Sequence, residues 1–398
     1  MMDFLEHKTY ELTCISPVHI GSGETLKKYE YLYDNKKNVV YFPDKTKWIT
    51  LLQKHKLFEE YLEYVNNPEQ LTRMNSYAWL NQHKVSERDI IATASRKAMA
   101  PKNIAESKGG RNTKGNINDI VTAISLAGGS LYIPGSSIKG ALRTGIVYHL
   151  LKKNPALAVY LEGKLENVLR QNSNRRDIER ETNRLDNEIE KQLFSVLKFD
   201  TDKNNPSINS AMRGLIVSDA VSVGKLDSVI VQKLDGMLDK DGRGVVTKPL
   251  PIVRECIPSD SKLRVQISFD KRMMAELGIK SIDEIIGYAR DYTKAGLNEL
   301  KKAFNKDKSD KFYTAIFQEA EGADFFLGGG TGFLSKTIWI ALFANKRTDM
   351  IRSLLGIITP PKHNHKTRDR FISPRTLKMS EVDGDYRLMG MCQLKELK

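Results

Sequence analysis

Apolar and polar positions alternate along several short runs of the chain, and most of these runs end in a turn signal. "KTYELTCISPVHIGSGE" (8–24) is strand-like, broken at Ser16-Pro17 and closed by Gly21-Ser22-Gly23, which predicts a strand entering a glycine turn. "YEYLYDNKKNVVYFPD" (29–44) predicts a hairpin turning at Asn35-Lys36-Lys37-Asn38. "AMRGLIVSDAVS" (211–222) reads as a strongly apolar strand, and "KLRVQISFD" (262–270) has the period of two expected of a half-buried one.

Other stretches carry a helical period. From Lys45 to about Arg96, Trp48, Leu51, Leu52, Leu57, Phe58, Leu62 and Val65 are spaced to line one apolar face. "YIPGSSIKGALRTG" (132–145) joins a short β-type run to a Pro-Gly turn and the start of a helix. "NRRDIERETNRLDNEIEKQLF" (174–194) alternates in charge, as a solvent-facing helix does. "SIDEIIGYARDYTKAGLNELKKAFNK" (281–306) is amphipathic, with Ser281 as N-cap and acidic residues in its first turns. Residues 96–118 lack any hydrophobic period and are expected to form a mobile basic loop. Between the strands, 227–260 carries Asp-Gly and Gly-x-Gly turn signals. It predicts a long projecting hairpin bearing Lys233, Lys240, Arg243, Lys248 and Arg254. The order of elements after residue 130 predicts an α+β fold, a β-sheet faced by helices on one side, of the ferredoxin-like or RNA-recognition kind.

A chain of 398 residues has room for two domains. Its 63 Lys+Arg against 49 Asp+Glu leave a net charge of +14, which favours a polyanionic partner, nucleic acid first. The apolar run "TIWIALFA" (337–344) is far short of the roughly 20 residues a membrane span needs, and the first residues show no signal peptide, so a cytoplasmic location is expected. Cys14, Cys256 and Cys392 are too widely spaced for a disulfide framework or a CxxC zinc pattern and are expected to be buried thiols. His363 and His365 of "HNH" read as solvated loop residues, and no metal or cofactor is expected.

Three stretches carry candidate chemistry. At the 132–145 helix start, Ser136 or Ser137 can cap the helix, and the N–H groups with Lys139 and Arg143 present positive potential to a phosphate. "LGGGTGFLSKT" (327–337) has Ser335 where a Walker A loop needs glycine before its lysine. Gly328, Gly329, Gly330, Thr331, Gly332 and Lys336 therefore read as a loop that a nucleic-acid backbone can approach. The GxSxG and HExxH sets are absent. His19, before the Gly21-Ser22-Gly23 turn, is the best-placed general base or acid for metal-independent RNA cleavage.

"SPVHIGSGE", then "YIPGSSIKGALR", then "FLGGGTGF" resemble, in that order and spacing, the RAMP superfamily of CRISPR-associated RNA-binding proteins. "GLIVSDA" (214–220), "PLPIVRECIPSDSKLRVQISFD" (249–270), "SPRTLKM" (373–379) and "YRLMGMCQL" (386–394) are similar to the subunit of type III-A (Csm) effector complexes that caps the filament at the CRISPR RNA 3′ end. The resemblance implies two RNA-recognition-like RAMP domains. The first covers 1–210 with helical insertions at 45–125 and 150–205; the second covers 211–398 with a thumb at 227–260 and the glycine loop at 327–333. It implies guide RNA held by His19, Gly21, Ser22, Gly23, Ser136, Ser137, Lys139, Arg143, Lys233, Arg254, the 328–332 loop, Lys336 and Arg375, without cofactor. Neighbouring filament subunits are the implied partners, and guide maturation and antiviral defence the implied process. A separate nuclease would trim the guide. Where the related filament subunit cuts with an aspartate, "GSGETLKK" offers Glu24, so a non-catalytic cap is the leading expectation and a metal-independent endoribonuclease using His19 the alternative.

Overall fold

The computed structural model describes residues 4–397 apart from 103, 109–110, 115–116, 172–173, 200–206, 225, 240, 247–249, 251, 305–310 and 383. Two seven-stranded sheets organise it, and each takes strands from both sides of residue 210. In the first sheet, strand Leu5–Cys14 pairs antiparallel along its whole length with Ser261–Asp270 and, on its other edge, with Met391–Leu397. Short strands extend the sheet: Leu215–Val217 and Ala220–Ser222 against Ser261–Asp270, then Tyr132–Ile133, and Phe325–Phe326 beyond Met391–Leu397.

The period of two decides which face is covered. Leu263, Val265, Ile267 and Phe269 are buried with Tyr10, Leu12 and Cys14, while Lys262, Arg264 and Gln266 on the opposite face are exposed. Helices Gly135–Lys153 and Ile282–Phe304 supply the covering layer through Ile138, Leu142, Ile146, Ile285 and Ala289, all in one core with the strand residues. The two helices meet closely at Gly145, where a Cβ would stand 2.5 Å from the Ala289 Cα, so only glycine allows this crossing.

The second sheet runs Gly21–Leu26, Ile120–Ala123, Val253–Cys256, Ser228–Gln232, Ala94–Met99, Val39–Pro43, Leu32–Asp34. Five short helices between Lys45 and Ala92 form their own core around Tyr61, Tyr64, Trp79 and Leu80, as the helical spacing predicts. The 29–44 hairpin and helix Arg175–Phe194 also stand where expected. Mixed helix and sheet, the expected α+β class, describes the whole.

Several segments differ from the sequence reading. Gly21-Ser22-Gly23 opens strand Gly21–Leu26, whose pairing shifts register between Gly21 and Thr25, so the expected turn is an irregular strand start. Within 96–118, strand Ala94–Met99 and the pair Ala105–Lys108 and Arg111–Lys114 replace the expected loop. Apolar Ala98 lies at 0% exposure inside a sheet, which a solvated loop would not allow. The 227–260 segment does pair back on itself, Ser228–Gln232 with Val253–Cys256 and Leu234–Leu238 with Gly244–Val246. Its arms are laid into two sheets, the second completed by Thr376–Val382 and Asp385–Leu388, because Val229, Ile230 and Val231 are buried. Lys240 and Lys248 lie outside the described residues. Cys14, Cys256 and Cys392 are buried free thiols, Cys14 directly opposite Cys392 across paired strands.

Among the described residues, no helix is long and apolar enough to cross a membrane, and no group of three or more His, Cys, Asp or Glu side chains could hold a metal ion.

Candidate functional site

The site begins where the chain leaves the first strand. Residues 16–20 are stapled to the C-terminal part by backbone bonds: Ser16 N–H to the Met391 carbonyl (3.4 Å), Val18 N–H to Ile257 (3.0 Å), Gly390 N–H to Pro17 (3.0 Å) and Gly329 N–H to His19 (2.7 Å). The last of these brings the glycine loop against His19. Gly328 adopts φ +78°, and a Cβ on it would stand 2.1 Å from the His19 carbonyl oxygen, so glycine is required there twice over.

Beneath this junction lies a buried ion pair that the sequence reading missed. Glu255, fully buried, accepts from Arg96 Nε (2.8 Å) and Nη2 (3.0 Å), Ser228 Oγ (3.0 Å) and the Ala123 N–H (3.1 Å). Arg96 lies over the Phe42 ring at 4.5 Å. One signal was available. Glu255 shares its strand face with apolar Val253 and Ile257, an acid in phase with core positions. The Glu255 carbonyl accepts from His19 Nδ1 at 2.7 Å, so Nδ1 carries the proton and Nε2 is left as an acceptor. Burial pushes the His19 imidazolium below its ordinary range; the Glu255 carbonyl opposes this, and the charges of Arg254 and Lys336 add to it. His19 is therefore held neutral.

The glycine loop walls two clefts. On one side, His19, Gly21, Ser137, Gly140, Gly328 and Lys336 line a cleft of about 320 Å³. On the other, Lys233, Arg254, Gly330, Gly332, Arg375 and Lys378 line one of about 540 Å³. In the second cleft Lys378 (3.0 Å) and Lys233 (3.5 Å) share Asp235, while Arg375 pairs with buried Asp369 (2.7 Å), which also accepts from His365 and Ser373. His365 is thus tied down, and only His363 of the "HNH" pair is exposed. Arg254 has no ion-pair partner among the described residues, which leaves positive charge over. In the first cleft Lys336 Nζ donates to the Gly328 carbonyl.

The remaining expected residues fall elsewhere. Ser22 Oγ bonds Thr122 Oγ1 (2.6 Å), Gly23 sits in the open at φ +89°, and Thr331 lies against an apolar pocket beneath the loop with Tyr292 and Phe333. Neither serine caps helix Gly135–Lys153; Ser136 is exposed, and the Gly135 N–H donates to Asp219 Oδ1 at 2.8 Å. A carboxylate thus occupies the helix start where a phosphate was expected, and it comes from the "GLIVSDA" stretch. Arg143 is engaged by Glu190 and lies over Phe194 at 5.3 Å, both contributed by helix Arg175–Phe194. Lys139 lines neither cleft; burial lowers its pKa.

Two clefts around a glycine loop, with basic side chains and few base-reading groups, suit a nucleic-acid backbone. Residues 11–335 match the family described as the RAMP superfamily. The chain belongs to the RAMP superfamily.

Relatives of this RAMP chain match most of its length. The "CRISPR system Cms protein Csm5" of Mycobacterium tuberculosis is 27% identical over 402 residues, 97% of this chain and 97% of its own. Its namesake from Streptococcus thermophilus is 26% identical over 341 residues, covering 84% and 81%. Among solved structures, a chain of a Csm-crRNA-target RNA ternary complex of a type III-A CRISPR-Cas system shares the RAMP chain's fold with a TM-score of 0.64 at 20% identity, covering 98% of this chain and 100% of that one. T. onnurineus Csm5 gives a TM-score of 0.53 at 17% identity, covering 96% and 99%.

Proposed function

We propose that this protein is a guide-RNA-binding subunit of a type III-A Csm effector complex. It caps the filament at the 3′ end of the CRISPR RNA, stacks on a neighbouring RAMP subunit and leaves 3′-end trimming to a separate nuclease. One observation carries the reading: the glycine loop, fixed on His19, separates two clefts whose basic side chains include the unpaired Arg254. Similarity along most of the chain to Csm5 relatives supports it. A metal-independent endoribonuclease is the weaker reading. Besides His19, its cleft offers one titratable side chain among the described residues, Lys336, already donating to the Gly328 carbonyl.

The test is co-expression with the other effector subunits, isolation through this chain, and sequencing of the bound RNA. Guide RNA is expected, and Arg254→Ala in a complex of unchanged composition should lower guide affinity about 10- to 100-fold, the range for one charge-assisted contact. A complex without guide RNA, or free RNA cut by the chain in EDTA, would overturn it.

A further inference from the structure

We infer that His19 Nε2 accepts a hydrogen bond from a ribose 2′-hydroxyl, so that the His19 cleft selects RNA over 2′-modified or deoxyribose backbones. The inference rests on the RNA-binding reading given above.

His19 is 4% exposed, yet its Nε2 has no hydrogen-bond partner among the described residues. The ring cannot easily exchange its nitrogens. Nδ1 donates to the Glu255 carbonyl, the His19 carbonyl is held by the Gly329 N–H at 2.7 Å, and a Cβ on Gly329 would stand 3.0 Å from Cδ2. Nε2 borders Gly21, where a Cβ would lie 3.3 Å away, and so faces the cleft that Gly328, Gly329 and Lys336 also line. Nε2 opens on the cleft and is not one of the sealed unpartnered atoms, so an occupant that displaces solvent there strands the acceptor unless it supplies a donor of its own.

The chemistry of that donor follows by elimination. Phosphate oxygens only accept, so the phosphate suits Lys336 and not Nε2. Every base carries an N–H donor, but at a different place on its edge in each, so a site that tolerates every guide sequence cannot depend on one. The 2′-hydroxyl is present on every ribonucleotide, donates, and is what distinguishes RNA from DNA at a given site. Gly21, Gly328 and Gly329 leave room for the sugar to reach the ring.

The experiment compares labelled single-stranded RNA with its 2′-fluoro counterpart of the same sequence, by fluorescence anisotropy on the full chain. Fluorine removes the hydroxyl donor. The wild-type chain should bind RNA about 3- to 10-fold more tightly than 2′-fluoro RNA, one hydrogen bond's worth. His19→Asn, which keeps a donor near the Nδ1 position but lacks an acceptor at Nε2, should bring that ratio to about one. Gly21→Ala, which sets a methyl group against Nε2 while leaving the His19 side chain unchanged, should do the same, and it carries the test if thermal melting shows His19→Asn unfolded. Equal wild-type affinities, or a preference surviving in both variants, would overturn the inference and leave the RNA-binding reading standing. Failure of the wild-type chain and its complex to bind either polymer would overturn that reading, and the inference with it.

Discussion

His19 makes stability depend on pH with a definite sign. Its folded-state pKa lies below the ordinary imidazole value of about 6.5, mainly through burial, so as pH falls the unfolded chain takes up a proton that the folded chain refuses. Stability from this residue is full above that value and is lost below it, by at most about 1.4 kcal/mol per pH unit. Urea midpoints measured from pH 7.5 to 5.5 should fall more for wild type than for His19→Asn; parallel profiles would contradict the assignment. At this scale the sequence was partly legible. His19, Gly328 and Gly329 could be found because turn chemistry is local. The pairing of Arg143 with Glu190 was not legible, since Glu190 belongs to a helix whose alternating charges read as solvent-facing. Asp219 was missed because nothing in a single sequence marks which carboxylate turns in to meet a helix start, and Glu255 because its phase with core positions does not reveal which arginine it meets.

Among elements, the Arg96–Glu255 pair clamps four strands of the second sheet. Arg96 comes from Ala94–Met99, Glu255 from Val253–Cys256, Ser228 from Ser228–Gln232 and the Ala123 N–H from Ile120–Ala123. Glu255→Gln should cost about 3 kcal/mol in chemical denaturation, the low end for breaking a buried pair because Arg96 keeps some contact with water. Arg96→Met combined with Glu255→Gln should recover part of that loss, since it removes the stranded charge. A loss under 1 kcal/mol in the single variant would show that the pair is not clamping the sheet. Helices Gly135–Lys153 and Ile282–Phe304 and strand Ser261–Asp270 were legible from their periods alone. Ala94–Met99 was hidden, because "ASRKAM" has a single fully buried side chain, Ala98, and two charged ones, Arg96 turned in to Glu255 and Lys97 exposed, a composition shared with loops.

For the whole molecule, the net charge of +14 and the placement of Lys233, Arg254, Lys336 and Arg375 around one loop set how binding should respond to salt. With four phosphate contacts to a single strand, log affinity against log salt should fall with a slope of about −3, and unrelated RNA sequences should bind within about threefold of one another. Anisotropy titrations between 50 and 300 mM salt measure both, and a flat salt response would remove the electrostatic basis of the site. Class and covering layer could be read from the sequence. The mixing of both chain halves in each sheet could not, because strand partners hundreds of residues apart leave no trace in a local pattern.

Strand Leu5–Cys14 has its two sheet partners at 261–270 and 391–397. On a ribosome adding about 5–20 residues per second, it therefore waits roughly 10–50 s for the first and longer for the second, with Tyr10, Leu12 and Cys14 uncovered meanwhile. The N-terminal strand is made first and settled last. That delay makes it the segment most in need of a holding chaperone, and the one whose early mispairing would divert newly made chains into aggregates.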